Sequence, residues 1–297
     1  MESVSVIIPA YNEEQALGPV LDRIRQVMAE SGHAFEIIVV DDGSTDATGQ
    51  VALARGARVF RHRRKRGAGA ARRTGIRQAN GDICVMVDGD GTYCVEDIPK
   101  MLALFPDADQ VVGARKVEAG SMAWLRRPTK WFIRQLASLL TGTHIPDLNS
   151  GLRAFKRDVM LKFVYMIPDG FSCVTTMTLT FLSNGYIVEY VPTEYYPRVG
   201  RSKFHPIKDT YNYLLTVIRI ILFFNPLKFL LPAALVLLLG GILRFLYHAL
   251  IPHHVRESDL MLVLTGMILG AIGLLADLIV TERRRALTDP PGQEQKQ

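Results

Sequence analysis

Two acidic residues follow directly on a buried apolar strand in the first third of the chain. The segment Ile83–Val87 is continuously apolar, and Asp88-Gly89-Asp90 comes immediately after it. Ligands of open α/β sheets bind at the carboxyl ends of the strands. Carboxylate oxygens suit hard cations such as Mg²⁺ or Mn²⁺, which keep other positions for water and substrate phosphate. Because Asp and Gly also favour turns, an ordinary turn is the alternative for this cluster alone.

The opening segment has the same plan of a strand followed by polar residues. Val4–Ile8 reads as a buried strand that is ended by Pro9, with Tyr11 just beyond it. A helix is predicted from about Glu13 to Glu30.

A second acidic pair follows another strand. Glu36–Val40 ends in Asp41 and Asp42, and Ser44, Thr45 or Asp46 can cap the next helix. Strands that alternate with helices predict βαβ units and a mainly parallel sheet. Three polar clusters are therefore expected at one edge of one sheet, which is how nucleotide sites are assembled.

Three of these segments together resemble the inverting family 2 glycosyltransferases with the GT-A (Rossmann-like) fold: Val6–Glu14, Val39–Thr45 and Val87–Asp90. The resemblance covers roughly the first two thirds of the chain, with the motifs in the family's order. It implies that Asp88 and Asp90 bind Mg²⁺ or Mn²⁺ and the diphosphate of a nucleotide-sugar donor. The nucleotide-binding residues expected from it are Pro9, Tyr11, Glu13, Asp41, Asp42, Arg66, Gly67 and Asp88.

A basic, glycine-containing run, Lys65–Gly75, opens a predicted helix. Backbone N–H groups at a helix start and nearby guanidinium groups favour phosphate oxygens. A solvated basic helix end is the alternative, and the run is not a Walker A loop. In the resembled family a similar helix start lies beside the nucleotide, which favours a functional role for Arg66 and Gly67.

The segment Asp147–Phe155 reads as a turn and resembles the acceptor-side loop of polyprenyl-phosphate sugar transferases. That resemblance places Asp147 and Ser150 beside the acceptor, with Asp147 as an orienting group or a formal base. It also matches Arg115, after a strand predicted at Gln110–Gly113, and Arg134 to positions that meet the acceptor phosphate. A solvated helix face is the alternative for Arg134. The residues predicted to act in catalysis are Asp90, Asp147, Arg115 and Arg134.

A third basic cluster precedes the apolar part of the chain. Arg198, Arg201 and Lys203 surround one glycine together with the hydroxyl of Ser202. Three cations and a hydroxyl can hold a phosphate through charge-assisted hydrogen bonds. The resembled family has a matching stretch that closes over the site, so these residues are predicted to bind the acceptor phosphate.

Two stretches near the end of the chain are long enough to cross a membrane as helices, Leu227–Ile251 and Leu260–Val280. Two core helices of a soluble domain are the alternative, although such helices seldom stay apolar around their whole circumference. The pattern of residues 206–226 predicts an amphipathic helix at the lipid–water interface, with a buried connecting helix as the alternative. The predicted parts are a catalytic domain (1–205), this helix (206–226), a transmembrane hairpin (227–281) and a tail (282–297).

The charges around the second span predict its orientation. Arg283, Arg284 and Arg285 follow that span, and positive flanks favour the cytoplasmic side. Two spans return the chain to the side on which it started. We therefore expect a membrane protein whose catalytic domain and both termini lie in the cytoplasm.

The net charge of the chain indicates which kinds of partner it binds. The net charge of +6 and pI near 9.3 suit anionic lipid headgroups and phosphate-bearing substrates. No nucleic-acid-binding motif accompanies the basic excess, so nucleic acid is not an expected partner. The three cysteines lack the spacing of a metal site and read as structural.

The sequence thus predicts inverting, metal-dependent transfer of a sugar from a UDP- or GDP-sugar to a polyprenyl phosphate, undecaprenyl or dolichyl. Mannose-type relatives carry Gln after the acid pair, whereas this chain has Gly91-Thr92, so this motif does not indicate which sugar is transferred. The alternatives are a processive polysaccharide synthase, whose Gln-x-x-Arg-Trp motif is missing, and a non-catalytic sugar-nucleotide-binding membrane scaffold. A homo-oligomer is compatible with the resemblance.

Overall fold

The computed structural model of the protein describes residues 2–116, 134–135, 137–138, 142–170, 172–197, 215, 218–219, 222–223, 225–251 and 256–288, with only the backbone at 283–288. The chain divides into two compact units, Met1–Val217 and Ile218–Gln297. Several predictions lie outside the described residues: the phosphate-binding cluster Arg198, Arg201, Ser202 and Lys203, most of the amphipathic helix, and the tail from Asp289.

The described part of the first unit contains a seven-stranded sheet. Its strands are β1 (Val4–Ala10), β2 (Phe35–Asp41), β3 (Arg58–Arg61), β4 (Ile83–Met86), β5 (Gln110–Arg115), β6 (Arg153–Lys156) and β7 (Val188–Thr193). The strand order is β3-β2-β1-β4-β6-β5-β7. β6 runs antiparallel to β4 and β5, and the other neighbours are parallel. The mainly parallel sheet is confirmed.

Several boundaries differ from the sequence prediction. β1 does not end at Pro9 but continues through it to Ala10, and β5 continues to Arg115 instead of ending at Gly113. Arg153–Phe155, predicted as part of a loop, opens β6, because Ala154 and Phe155 bury opposite faces of a strand that pairs with both β4 and β5. A short polar-to-apolar segment carries too little periodicity to reveal such a strand.

Helices cover both faces of the sheet: α1 (Glu14–Glu30), α2 (Thr48–Ala54), α3 (Ala68–Gln78), α4 (Ile98–Leu102), α5 (Arg157–Phe163) and α6 (Cys173–Ser183). Successive strand residues point to opposite faces. Ile8 of β1 packs with Leu17 of α1 in one core cluster, while Ile7 packs with Ile76 of α3 in the other. Each fully buried aliphatic side chain stabilises the fold by about 1.5–3 kcal/mol.

The parallel register brings the predicted polar clusters to one edge. Ala10 at the end of β1 pairs with Asp41, and Asp41 pairs with Arg61 of β3. On the other side of β1, Ile7 pairs with Met86, the last residue of β4. The expected meeting of strand ends is therefore confirmed.

The second unit contains two long apolar helices, α7 (Pro226–Leu250) and α8 (Glu257–Thr288). Both Pro226–Leu250 and Glu257–Glu282 are long and apolar enough to cross a membrane, with a mean hydropathy of 2.3 in each. At 1.5 Å per residue α7 is about 38 Å long, against roughly 30 Å of hydrocarbon. A Cβ on Gly266 would lie 2.7 Å from the backbone nitrogen of Leu238, so the two helices pack closely.

An ionic cluster joins the two helices. The buried carboxylate of Asp259 accepts hydrogen bonds from Arg244 Nε (3.1 Å) and from His248 Nδ1 (2.6 Å). Arg244 interrupts the apolar sequence of α7, and this pairing explains how the hairpin accommodates it, since charged groups within a membrane protein pair with one another.

Candidate active site

The two acids after β4 lie where the sequence predicts them, and each is held by a neighbouring side chain. Asp88 is partly exposed, and its Oδ1 accepts a hydrogen bond from Arg72 of α3 at 2.5 Å. Asp90 is buried, and its Oδ1 accepts hydrogen bonds from the hydroxyl (2.7 Å) and backbone N–H (3.2 Å) of Thr92. Thr92 therefore contacts Asp90 directly and orients its carboxylate.

The chemistry of these donors fits a divalent cation that arrives with phosphate. Within the part of the chain that the structure describes, no group of three or more His, Cys, Asp or Glu side chains is arranged to hold a metal ion. Mg²⁺ commonly takes one or two carboxylates and completes its shell with water and substrate phosphate. Asp88 and Asp90 are thus the residues that would hold the cation.

Asp42 is buried and binds the loop that leads into α3. Its Oδ1 accepts from the backbone N–H of Arg66 (2.9 Å) and from His62 Nδ1 (2.7 Å), and its Oδ2 accepts from the N–H of Gly67 (2.7 Å). The other ring nitrogen of His62 lies 2.9 Å from the Thr74 hydroxyl. His62 was not predicted as a site residue, since a lone histidine within a basic run gives no signal of this contact.

The start of α3 differs from the predicted phosphate cradle. The N–H groups of Arg66 and Gly67 bind Asp42, and that of Gly69 donates to the Asp169 carbonyl at 2.8 Å. Gly67 has φ of 109°, and a Cβ there would contact the Asp169 carbonyl oxygen, so the close approach requires glycine. These three N–H groups therefore have partners within the protein, whereas the side chain of Arg66 is exposed.

Asp41 and the segment that follows β1 lie beside Asp42 at the same edge of the sheet. Asp41 is buried and accepts from the Ser44 N–H at 2.7 Å, and Arg61 Nε lies 3.3 Å from its other oxygen. Lys65 Nζ lies 4.1 Å from the centroid of the Tyr11 ring, within the range of a cation–π contact. The N–H of Glu13 donates to the hydroxyl of Thr48 at 2.9 Å. Pro9, in β1, is partly buried.

The predicted acceptor residues Asp147 and Arg115 form a two-point ion pair. Arg115 Nε donates to Asp147 Oδ2 at 2.7 Å, and Arg115 Nη2 donates to Asp147 Oδ1 at 2.9 Å. Burial alone would raise the pKa of Asp147, but the hydrogen bonds and charge of Arg115 hold that pKa below its ordinary value. Asp147 is therefore held as a carboxylate by Arg115, which contacts both of its oxygens.

Arg134, in a helical segment, contacts the loop that contains Ser150. Arg134 donates to the Pro146 carbonyl at 3.1 Å, next to Asp147. Ser150 is fully buried, and its hydroxyl lies 3.4 Å from the Leu152 carbonyl, which it faces as a donor. The structure thus brings Arg115, Arg134 and Asp147 together.

This loop contacts Asp88, one of the two acids predicted to bind the metal, through Gly151. A Cβ on Gly151 would lie 2.9 Å from Asp88 Cγ and closer still to its Oδ2, so only a glycine fits without displacing the carboxylate. The N–H of Gly151 donates to the Tyr93 hydroxyl at 2.6 Å. The predicted donor half and the predicted acceptor half of the site are therefore in direct contact at Asp88.

Comparison with known sequences agrees with this layout. The profile described as "Glycosyl transferase family 2" matches residues 5–163, and "GtrB C-terminal hairpin" matches residues 225–281. Glycosyltransferase AglJ of Haloferax volcanii is 31% identical in an alignment that covers 96% of this chain and 96% of its own. A dolichyl-phosphate hexose transferase of the same organism is 32% identical over 210 residues, covering 69% of this chain and 88% of its own.

A solved structure supports the fold. Glucosyl-3-phosphoglycerate synthase of Mycobacterium tuberculosis, in complex with Mn²⁺, UDP and phosphoglyceric acid, superposes with a TM-score of 0.59 at 21% identity. The match covers 74% of this chain and 78% of that one. The first unit therefore has the fold of that enzyme.

Proposed function

The chain belongs to glycosyl transferase family 2, and from this premise we propose that it transfers a sugar from a nucleoside-diphosphate donor to a membrane polyprenyl phosphate. The relative that acts on dolichyl phosphate and the two apolar helices support a lipid-linked acceptor. Mg²⁺ or Mn²⁺ is the proposed cofactor, because two carboxylates at a strand end suit either ion and the structural neighbour was crystallised with Mn²⁺ and UDP.

The observation that carries the proposal is the contact between Gly151 and the carboxylate of Asp88. The loop expected to meet the acceptor lies against the acid expected to hold the metal and diphosphate. Two substrates bound at these places would have their reacting groups side by side, and such positioning supplies a large part of the rate enhancement of a transfer reaction.

On the donor side, the protein's task is to stabilise the departing diphosphate. A divalent cation at Asp88 and Asp90 would neutralise the charge that develops on the leaving group. Arg72 and Thr92 keep the two carboxylates in place. We propose that the exposed guanidinium of Arg66 also binds the diphosphate, and that Asp41 and Tyr11 contact the nucleoside.

On the acceptor side, the nucleophile is a phosphate oxygen. A phosphate monoester is largely ionised at neutral pH, so the attack needs no strong general base. Asp147 accordingly acts by holding Arg115 in place, and Arg115 and Arg134 offset the repulsion between two phosphate-bearing substrates. We assign Arg198, Arg201, Ser202 and Lys203 to the acceptor phosphate on the resemblance of their motif. Attack from the face opposite the diphosphate would invert the anomeric carbon.

The location of the proposed acceptor also suggests how the protein is oriented in the membrane. A polyprenyl phosphate has its tail in the bilayer and its headgroup at the surface, whereas nucleotide sugars are supplied by the cytosol. We therefore propose that α7 and α8 form a transmembrane hairpin with the catalytic domain and both termini in the cytoplasm. The arginines at the end of α8 are the sequence feature that favours this orientation.

The test is a donor screen on the full chain purified in detergent. It uses undecaprenyl or dolichyl phosphate, Mg²⁺ or Mn²⁺ and a panel of UDP- and GDP-sugars, with lipid-linked sugar detected by mass spectrometry. Metal-dependent product from one donor, lost in Asp90→Ala, is the expected result. Nucleotide binding without any lipid product from any donor would overturn the acceptor assignment and favour a non-catalytic scaffold.

A further inference from the structure

Arg72 is a buried cation in contact with the proposed metal ligand Asp88. It lies on α3 with 4% of its surface exposed, and its two terminal nitrogens contact Asp88 Oδ1 (2.5 Å) and the Cys173 sulfur (3.1 Å). Its role is not apparent from the sequence, because Arg72 stands beside Arg73 in a run of basic residues. An arginine that binds a metal ligand both orients that ligand and places a positive charge beside the cation site.

A second buried guanidinium strengthens the positive charge. Arg153, fully buried on β6, donates to neutral oxygens: the carbonyls of Ser150 and Val174 and the hydroxyl of Thr178. Burial, and then the charge of Arg72, lower the pKa of Arg153 to about 10, so it remains protonated at neutral pH. The two positive charges of Arg72 and Arg153 therefore balance the two carboxylates of Asp88 and Asp90, so these four groups have no net negative charge to attract a cation.

The two guanidiniums affect a metal ion and a diphosphate in opposite ways. A divalent cation beside Asp88 is attracted by the two carboxylates but repelled by the two guanidiniums, in a partly desolvated site where charges interact more strongly than in water. A nucleoside diphosphate brings several negative charges that offset this repulsion. Metal and nucleotide should therefore each bind better when the other is present, by the same factor.

We propose that Arg72 makes metal binding at Asp88 depend on the nucleoside diphosphate, so that the cation is retained only together with the donor. The inference rests on the proposed function, because it takes Asp88 as a metal ligand. Arg72 is a positioning residue in this account: it contacts the carboxylate and acts on the metal through it. Gly151 complements this arrangement, since its missing Cβ leaves room for the other oxygen of Asp88.

The test measures Mn²⁺ binding directly, by the EPR signal of the free ion, on the full chain in detergent. Titrations are run without nucleotide, with UDP and with GDP, for the native chain and for Arg72→Met. Arg77→Met is the matched control, because Arg77 is an exposed residue of the same helix. Arg72→Lys keeps the positive charge but has a single nitrogen, so it loses the separate contacts to Asp88 and Cys173.

In the native chain we expect one of the nucleotides to tighten Mn²⁺ binding by about tenfold or more, within the usual range of coupling between sites. Arg72→Met should bind Mn²⁺ about tenfold more tightly without nucleotide, and thus lose most of the coupling, whereas Arg72→Lys and Arg77→Met keep it. Native protein that binds Mn²⁺ equally well with and without both nucleotides would overturn the inference, whether or not Arg72→Met folds. So would an Arg72→Met variant with unchanged nucleotide-free affinity.

The donor screen separates this inference from the proposed function. Lipid-linked product together with Mn²⁺ binding that ignores Arg72 would refute only the role of Arg72. Absence of product from every donor, with nucleotide-coupled Mn²⁺ binding intact, would refute only the transfer to polyprenyl phosphate.

Discussion

Replacement of Gly151 by alanine tests the contact between the two halves of the proposed site. The added Cβ would lie 2.9 Å from Asp88 Cγ, whereas unstrained carbon atoms are separated by about 3.5–4.0 Å. The carboxylate must therefore move by roughly 0.5–1 Å. Arg72 holds one oxygen of that carboxylate, so the movement also disturbs the ion pair.

The expected effect on activity is large and the effect on stability is small. Displacement of a positioning group by about 1 Å can lower a rate by roughly 100-fold. Asp88 is partly exposed and can yield, and a Gly→Ala change at an ordinary φ stabilises a protein by about 0.4–1 kcal/mol through the unfolded state. We therefore expect the free energy of unfolding to change by no more than about 1 kcal/mol.

The assay compares initial rates of lipid-linked sugar formation over a range of Mn²⁺ concentrations, with unfolding followed by circular dichroism. Gly170→Ala is the matched control, since a Cβ on Gly170 would meet nothing within 4 Å. A Gly151→Ala variant with native rate and native Mn²⁺ dependence would refute the assignment of Asp88 to the metal. A variant that loses activity only because it unfolds would refute the predicted separation of activity from stability.

Three further predictions concern residues around the site. Thr92→Val removes the hydroxyl that orients Asp90 and should raise the Mn²⁺ concentration for half-maximal rate by about tenfold. The control Thr180→Val should have no effect, since the Thr180 hydroxyl makes no hydrogen bond within the described residues. His62→Ala leaves a buried oxygen of Asp42 short of one donor and should lower the free energy of unfolding by about 1–3 kcal/mol in urea titrations; an unchanged value would contradict the contact. Asp147, whose pKa is lowered, stabilises the fold above its unfolded pKa of about 3.9 and loses this contribution as pH falls through the lower folded value. Between pH 5 and 8 the rate should therefore show no inflection that Asp147→Asn abolishes, and one that it does abolish would identify Asp147 as a base.

Sequence patterns predicted β1, β2, β4 and β5 because apolar runs and the polar residues at their ends are local features. The apolar runs before Asp41 and Asp88 are buried strands, and their polar ends meet at one edge. The family resemblance added the loop at Asp147, which a turn-like composition alone does not mark as functional.

The side chains that hold Asp88 and Asp42 in place could not be predicted from the sequence. Arg72 reaches Asp88 across 16 residues, and His62 reaches Asp42 across 20, so both depend on how α3 and β3 pack in three dimensions. The helix start at Gly67 shows the converse: its N–H groups have the pattern of a phosphate cradle, yet Asp42 and the Asp169 carbonyl occupy the groups of Arg66, Gly67 and Gly69. Local spacing cannot show which acceptor a donor finds.

The most direct test of the central claim is the bond formed in the product. With the donor selected by the screen and labelled with ¹³C at the anomeric carbon, NMR of the lipid product would show whether that carbon is coupled to the lipid phosphorus. We predict a coupling through one C–O–P linkage, with the anomeric configuration opposite to that of the donor. Free labelled sugar without a lipid-linked signal would contradict transfer to a polyprenyl phosphate, and a product that keeps the donor's configuration would contradict the inverting attack.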